Sequence, residues 1–102
     1  MGKPYICLVV LKFKEEYRQE VYDMLATSED GLALTRKHKA CISIEGRLST
    51  DDDETIVFWG KWTSKEGHSE YLAMRKETGL FDSWADKYAA PPTSINLTEE
   101  SF

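Results

Sequence analysis

Hydrophobic and polar positions follow two rhythms along this chain, and each change of rhythm marks an element. Tyr5 to Lys12 is a nearly unbroken run of Ile, Leu and Val, the pattern of a strand covered on both faces. From Glu15 to about Thr27 the apolar positions Tyr17, Val21, Met24 and Leu25 fall at helical spacing, with Glu15 and Glu16 in the first turn, where the helix dipole favours anions. Ser28-Glu29-Asp30-Gly31 breaks that helix, and Leu32 to Lys37 predicts a short helical continuation. Period two returns at Cys41 to Leu48, with Ile42 and Ile44 on one face and Gly46 suggesting a bulge or a close backbone approach. The polar, acid-rich Ser49 to Glu54 then leads into a further strand, Thr55 to Trp62, so the pair forms a hairpin with a longer loop.

Thr63 and Glu66 have the spacing of a capping box, which starts a helix that runs to Gly79, a suitable left-handed terminator. Leu80, Phe81, Trp84, Ala85 and Tyr88 continue at helical spacing, and Pro91-Pro92 then forces an extended chain from Thr93 to Glu99, an edge strand. The order strand, helix, strand, strand, helix, strand predicts an α+β, ferredoxin-like βαββαβ fold with a four-stranded antiparallel sheet and helices on one face. Along the third strand Ile56, Phe58, Gly60 and Trp62 point one way, and Val57, Trp59 and Lys61 the other. An apolar Val57/Trp59 face predicts that a second, identical subunit covers it, making a homodimer.

Composition narrows the function classes. With 102 residues, 41% hydrophobic and 30% charged, the chain suits one folded domain, residues 1–102, of a size at which oligomerisation often completes burial. Thirteen Lys and Arg against 18 Asp and Glu give a formal charge of −5, a field that repels nucleic acid. No apolar run approaches the roughly 20 residues of a membrane span. The opening Met1-Gly2-Lys3-Pro4 has no secretory h-region, and Ile6 stands where a myristoylation signal needs Ser or Thr, so a cytoplasmic protein is expected. Cys7 and Cys41 read as small buried hydrophobes. With two His and no Cys-x-x-Cys or His-x-x-His spacing, no metal site is expected, and the run Asp51 to Glu54 reads as a solvated turn.

The strand-to-helix junction gathers the candidate chemistry. His68, Tyr71, Leu72 and Arg75 occupy i, i+3, i+4 and i+7 and share one helical stripe, beside Trp62 and Phe58 on the preceding strand. If that stripe meets the sheet, His68 is placed as a general base for a phenolic proton, Arg75 as the partner of the resulting oxyanion, and Trp62 as an N–H donor. The bland alternative has His68 bonding a neighbour at the helix start, Arg75 reaching a surface carboxylate such as Asp82, and Trp62 filling core volume. Phe81, Trp84 and Tyr88 form a second aromatic stripe that either caps the core or closes a pocket between hinges at Gly79 and Pro91-Pro92. His38, among Arg36, Lys37 and Lys39, reads as a solvated helix end.

Ala40-Cys41-Ile42-Ser43-Ile44-Glu45, Phe58-Trp59-Gly60-Lys61-Trp62-Thr63-Ser64-Lys65-Glu66 and the closing Pro91-Pro92 resemble the antibiotic biosynthesis monooxygenase family of the dimeric α/β-barrel superfamily, across about Ile6 to Leu97. The resemblance implies a dimeric barrel with a ligand cavity between sheet and helices in each subunit. It also implies a monooxygenase of a small phenol, anthrone or quinol that uses molecular oxygen as co-substrate and no cofactor, with Trp62 matching the family's strand-ending active-site Trp. Phe58 stands where some members place an amide, the first strand has no Asn, and Phe81 to Tyr88 has no His, which disfavours the haem-degrading branch. Trp62 is the one active-site residue the resemblance carries over; with His68 and Arg75 from the helical stripe it makes the candidate catalytic set, and the candidate walls for a small aromatic or lipophilic molecule are Phe58, Tyr71, Leu72, Phe81, Trp84 and Tyr88. The competing readings are a cofactor-free cyclase or isomerase of a polyketide-like compound, and a non-enzymatic dimeric ligand-binding module.

Overall fold

A computed structural model describes residues 4–99, so Met1, Gly2 and Lys3 of the opening tetrapeptide lie outside the described residues. Its elements are β1 (Tyr5–Phe13), α1 (Glu15–Thr27), α2 (Leu32–Lys37), β2 (Cys41–Leu48), β3 (Thr55–Trp62), α3 (Lys65–Glu77), α4 (Leu80–Trp84) and β4 (Tyr88–Leu97). All strand pairs are antiparallel, in the order β2-β3-β1-β4, so β3 and β1 occupy the centre and β2 and β4 the edges, as in the ferredoxin-like plan. Tyr5 pairs with Trp62 and Leu8 with Trp59, a register that puts Tyr5, Cys7, Val9, Leu11 and Phe13 on the same sheet face as Ile56, Phe58, Gly60 and Trp62.

That inner face receives the helices. Leu11, Phe13, Ile56 and Phe58 from the sheet pack with Val21 and Leu25 of α1, Leu32 of α2 and Trp84 of α4 in the main core. Ala40, Trp62 and Tyr71 form a second cluster at the other end of the same face. In the β2–β3 turn, Asp52 accepts hydrogen bonds from the Glu54 and Thr55 backbone N–H groups and from the Thr55 hydroxyl, which hold its carboxyl below the usual carboxylate range. Arg18 of α1 donates to the Ser49 and Asp52 carbonyls, fixing the turn against the helix. No helix among the described residues is long and apolar enough to cross a membrane.

Four expectations change in detail. The cap of α3 is Ser64, whose hydroxyl accepts from Gly67 N–H at 3.0 Å, so Thr63 is not the cap and Glu66 sits in the first turn as an anion facing the helix dipole. The bulge of β2 lies between Cys41 and Ser43 rather than at Gly46, and the extra residue separates the two isoleucines: Ile42 is 50% exposed while Ile44 faces the helices. α4 ends at Trp84, and β4 begins at Tyr88 instead of Thr93. Tyr88 stacks on Phe13 with ring centroids 5.0 Å apart and pairs with it across the sheet, which outweighs its place in the helical stripe. Pro91 and Pro92 therefore lie inside a strand, at an edge and opposite a register shift between Val10 and Lys12, where a missing N–H costs no ladder bond. Gly79 takes φ +83°, the left-handed turn that separates α3 from α4.

Candidate functional site

Between the inner sheet face and the helices α3 and α4 lies a cavity of about 610 Å³. Its floor is the inward row of β1 and β3, where Phe58, Gly60 and Trp62 alternate with outward residues at the period of the strand. One wall is the helical stripe His68, Tyr71, Leu72 and Arg75, and the other is Phe81 and Trp84 of α4 with Tyr88 at the start of β4. All nine residues singled out in the sequence line this one space. Leu72 is 39% exposed and stands at the mouth. Trp84 packs edge-on against Phe13 at 5.4 Å and is buried, so of the second aromatic stripe Phe81 is the least anchored.

Trp62 and His68 meet at the sheet end of the cavity, ring centroids 4.7 Å apart and inclined at 55°. Trp62 also lies 4.8 Å from Tyr71, and Tyr5 closes the group from β1, 5.4 Å from His68. Burial pulls the His68 pKa below its ordinary 6.5, because the charged imidazolium loses more on leaving water than the neutral ring. His68 makes no side-chain hydrogen bond to any described residue, so the neighbour bond of the bland reading is absent. Trp62 is 2% exposed and its indole N–H has no acceptor among the described residues, yet no fully buried side-chain nitrogen or oxygen among them lacks a partner. That N–H therefore opens onto the cavity. Gly60 makes room for it: a Cβ at position 60 would come within 2.7 Å of Trp62 Nε1.

Arg75 is 2% exposed and does not reach Asp82 or any surface carboxylate. Its Nε donates to the Tyr71 hydroxyl at 2.8 Å, one terminal nitrogen to the Asp30 carbonyl at 2.5 Å, and the other to the Gly31 carbonyl at 2.6 Å and Thr35 Oγ1 at 3.0 Å. Tyr71 and Thr35 hydroxyls are themselves 2.6 Å apart. Four of the five guanidinium N–H groups are thus committed to groups that fix Tyr71 and tie α3 to the α1–α2 break. The two carbonyls and Thr35 lie 40 residues or more away along the chain, where local spacing does not reveal them.

Tyr5, Cys7, Lys65 and Ser69 also border the cavity and were not singled out. Tyr5 and Cys7 enter through the β1–β3 register, which one strand alone does not reveal. Tyr5 donates its hydroxyl hydrogen to Asn96 Oδ1 at 2.6 Å, and burial pushes its pKa and that of the Cys7 thiol upward, so both remain protonated near neutral pH. His38 lies outside the cavity: its Nδ1 accepts from Ala40 N–H at 3.1 Å and its ring meets the edge of Tyr71. Among the described residues no group of three or more His, Cys, Asp or Glu side chains is placed to hold a metal.

No protein-family profile and no curated protein sequence matches this chain. Solved structures do. An antibiotic biosynthesis monooxygenase superposes with a TM-score of 0.78 at 16% identity, over 95% of this chain and 99% of the other. The chain has the antibiotic biosynthesis monooxygenase fold. A monooxygenase from the ActVA-Orf6 gene of Streptomyces coelicolor, solved with the ligand nanaomycin D, shares that fold with a TM-score of 0.76 at 14% identity, over 96% of this chain and 88% of the other. SnoaB, a cofactor-independent oxygenase from Streptomyces nogalater solved as a mutant, gives 0.71 at 11% identity, over 99% and 97%. At these identities the likeness is one of fold, so what the monooxygenase fold does in this chain rests on the cavity's own residues.

Proposed function

We propose that this protein is a cofactor-independent monooxygenase of a small electron-rich aromatic compound, a phenol, anthrone or quinol, bound between the sheet and α3. One observation carries the proposal: the unbonded imidazole of His68 and the free indole N–H of Trp62 border the same apolar cavity, 4.7 Å apart ring to ring. A base must be unprotonated at working pH and within reach of the acidic proton, and a desolvated imidazole satisfies the first condition. His68 takes the phenolic proton, and the Trp62 N–H donates to the oxygen that becomes negative, in surroundings of low dielectric where such a bond is strongest. The carbanion form of the anion then supplies electrons to molecular oxygen. A carbon–oxygen bond forms, and the resulting hydroperoxide loses water to leave a carbonyl; a CH₂ group and O₂ become C=O and H₂O. The protein contributes orientation, charge stabilisation and exclusion of water.

In this reading Arg75 shifts from the oxyanion partner expected in the sequence to the residue that positions Tyr71, since four of its five donors are already held. Support for the oxygen chemistry comes from the fold shared with a cofactor-independent oxygenase and a monooxygenase. Oxygen consumption with a panel of hydroquinones and anthrones is expected to proceed in the presence of chelators and to fall with His68→Ala. Absence of uptake across a broad panel, or uptake unchanged in His68→Ala, contradicts the proposal. Anaerobic product formation instead favours acid–base isomerisation at the same site.

A further inference from the structure

Two hydroxyls and one guanidinium meet at the inner wall of the main cavity, and a count of their hydrogens leaves one over. The Tyr71 hydroxyl accepts from Arg75 Nε at 2.8 Å, and Thr35 Oγ1 accepts from a terminal Arg75 nitrogen at 3.0 Å. The two hydroxyl oxygens are 2.6 Å apart, so one of them donates to the other. Each carries a single hydrogen, and one O–H···O bond uses only one of the pair. The second hydrogen has no acceptor among the described residues. Were it on Thr35, which is fully buried and does not border the cavity, a donor would be stranded in the interior, a state that folded proteins avoid. Tyr71 does border the cavity. The arrangement that strands nothing has Thr35 donating to Tyr71 and the Tyr71 O–H turned to the cavity.

We propose that the Tyr71 hydroxyl is a hydrogen-bond donor to the ligand, and that the site therefore selects rings carrying a second oxygen, a quinol or a hydroxyanthrone over a simple phenol; this rests on reading the main cavity as an aromatic site and narrows its substrate class. Arg75 is 2% exposed, and the acceptors around it are all neutral, two carbonyls and two hydroxyls. Its charge thus has no carboxylate against it. A hydroxyl that accepts from a buried cation is polarised and donates more strongly, above all to an oxygen that carries negative charge. His68 and Tyr71 stand three residues apart on α3, about 4.5 Å along the helix axis. His68 and Trp62 hold the reacting oxygen at the sheet end, while the Tyr71 hydroxyl, bonded to Thr35 of α2, holds the second oxygen on the side of the α1–α2 break.

The test compares 1-naphthol with 1,5-, 1,6- and 1,7-dihydroxynaphthalene, titrated by calorimetry without oxygen so that binding is read apart from turnover. At least one of the two-oxygen isomers is expected to bind about tenfold more tightly than 1-naphthol, as one net hydrogen bond allows. Tyr71→Phe keeps the ring against Trp62 and should bring the ratio of the two affinities close to one. A purely structural Tyr71 would weaken both probes alike and keep the ratio, which overturns the donor. A parent protein that prefers none of the isomers overturns it too, with the aromatic site left standing. If Tyr71→Phe does not fold, 3-fluorotyrosine at position 71 retains the hydroxyl and its partners and strengthens it as a donor, so the ratio should rise; an unchanged ratio contradicts the proposal. Failure of 1-naphthol and every isomer to bind removes the aromatic reading and the donor with it.

Discussion

His68 is the titratable group on which the proposed chemistry rests. Its imidazole is partly desolvated against Trp62 and Tyr5 and is uncharged at neutral pH, so activity that needs it as a base should hold at pH 7 and fall as acid protonates it, with a midpoint below 6.5. His68→Gln is expected to lower kcat/KM by roughly 100-fold and to remove that acid limb from the pH profile. A profile that keeps the same limb would assign it to another group. Stability follows the same titration: between the ordinary pKa of the unfolded chain and the lower folded value, the unfolded state binds more protons, so stability declines as pH falls through that window. Trp62 depends on a different residue. Gly60→Ala places a methyl within 2.7 Å of Nε1, and turning the indole away should reduce turnover more than it reduces ring binding. Steady-state kinetics beside fluorescence titration separate these effects. The stripe that holds His68 was legible in the chain because helical spacing alone aligns positions 68, 71, 72 and 75. Tyr5 was not, because only the β1–β3 register brings it to the same space, and Lys65 and Ser69 lie on the flank of the stripe, where spacing alone does not say how wide a helix face the cavity takes.

Among the elements, α3 is fixed at both ends by side chains that act across the fold. Ser64 caps its start, and Arg75 joins its last turns to the carbonyls of Asp30 and Gly31 and, through Tyr71, to Thr35 of α2. Arg75→Met should cost about 3 kcal/mol or more in urea unfolding, because it leaves the Gly31 carbonyl and the Thr35 and Tyr71 hydroxyls without a buried charged donor. Arg75→Lys should recover only part of that, since one ammonium cannot serve four acceptors in the planar arrangement of a guanidinium. If Arg75→Met unfolds at the parent midpoint, the clamp contributes nothing and Arg75 is free for ligand. Most strands and helices could be read from local pattern, and β2, β3 and α1 fall where the periodicity put them. The α4–β4 boundary could not. Tyr88 satisfies a helical spacing and a strand pairing equally well by sequence, and the choice is made by Phe13, 75 residues earlier, whose fully buried ring accepts Tyr88 as a stacking partner.

At the scale of the whole molecule, the sheet face opposite the helices bears on the expected assembly. Trp59, Leu8 and Ile95 are neighbours in one row across β3, β1 and β4, with Val57 and Val10 in the next. Trp59 is 49% exposed and Ile95 54%, so a single chain leaves a continuous apolar band in water where an antiparallel sheet normally presents polar side chains. A second copy is the simplest cover, because identical bands meet by a two-fold axis and no other apolar surface of the chain need be supplied. The expected species at micromolar concentration is a homodimer by light scattering. Trp59→Glu puts a charge at the centre of the band, and loss of a large aromatic anchor typically costs 2 kcal/mol or more, about thirtyfold in dimer affinity. Trp59 points away from the main cavity, so the variant should still bind an uncharged naphthoquinone while its mass falls toward that of one chain. A parent protein that stays monomeric and soluble at high concentration contradicts the dimer, and a Trp59→Glu variant that loses ligand binding along with its partner shows instead that the cavity is completed only in the assembled pair.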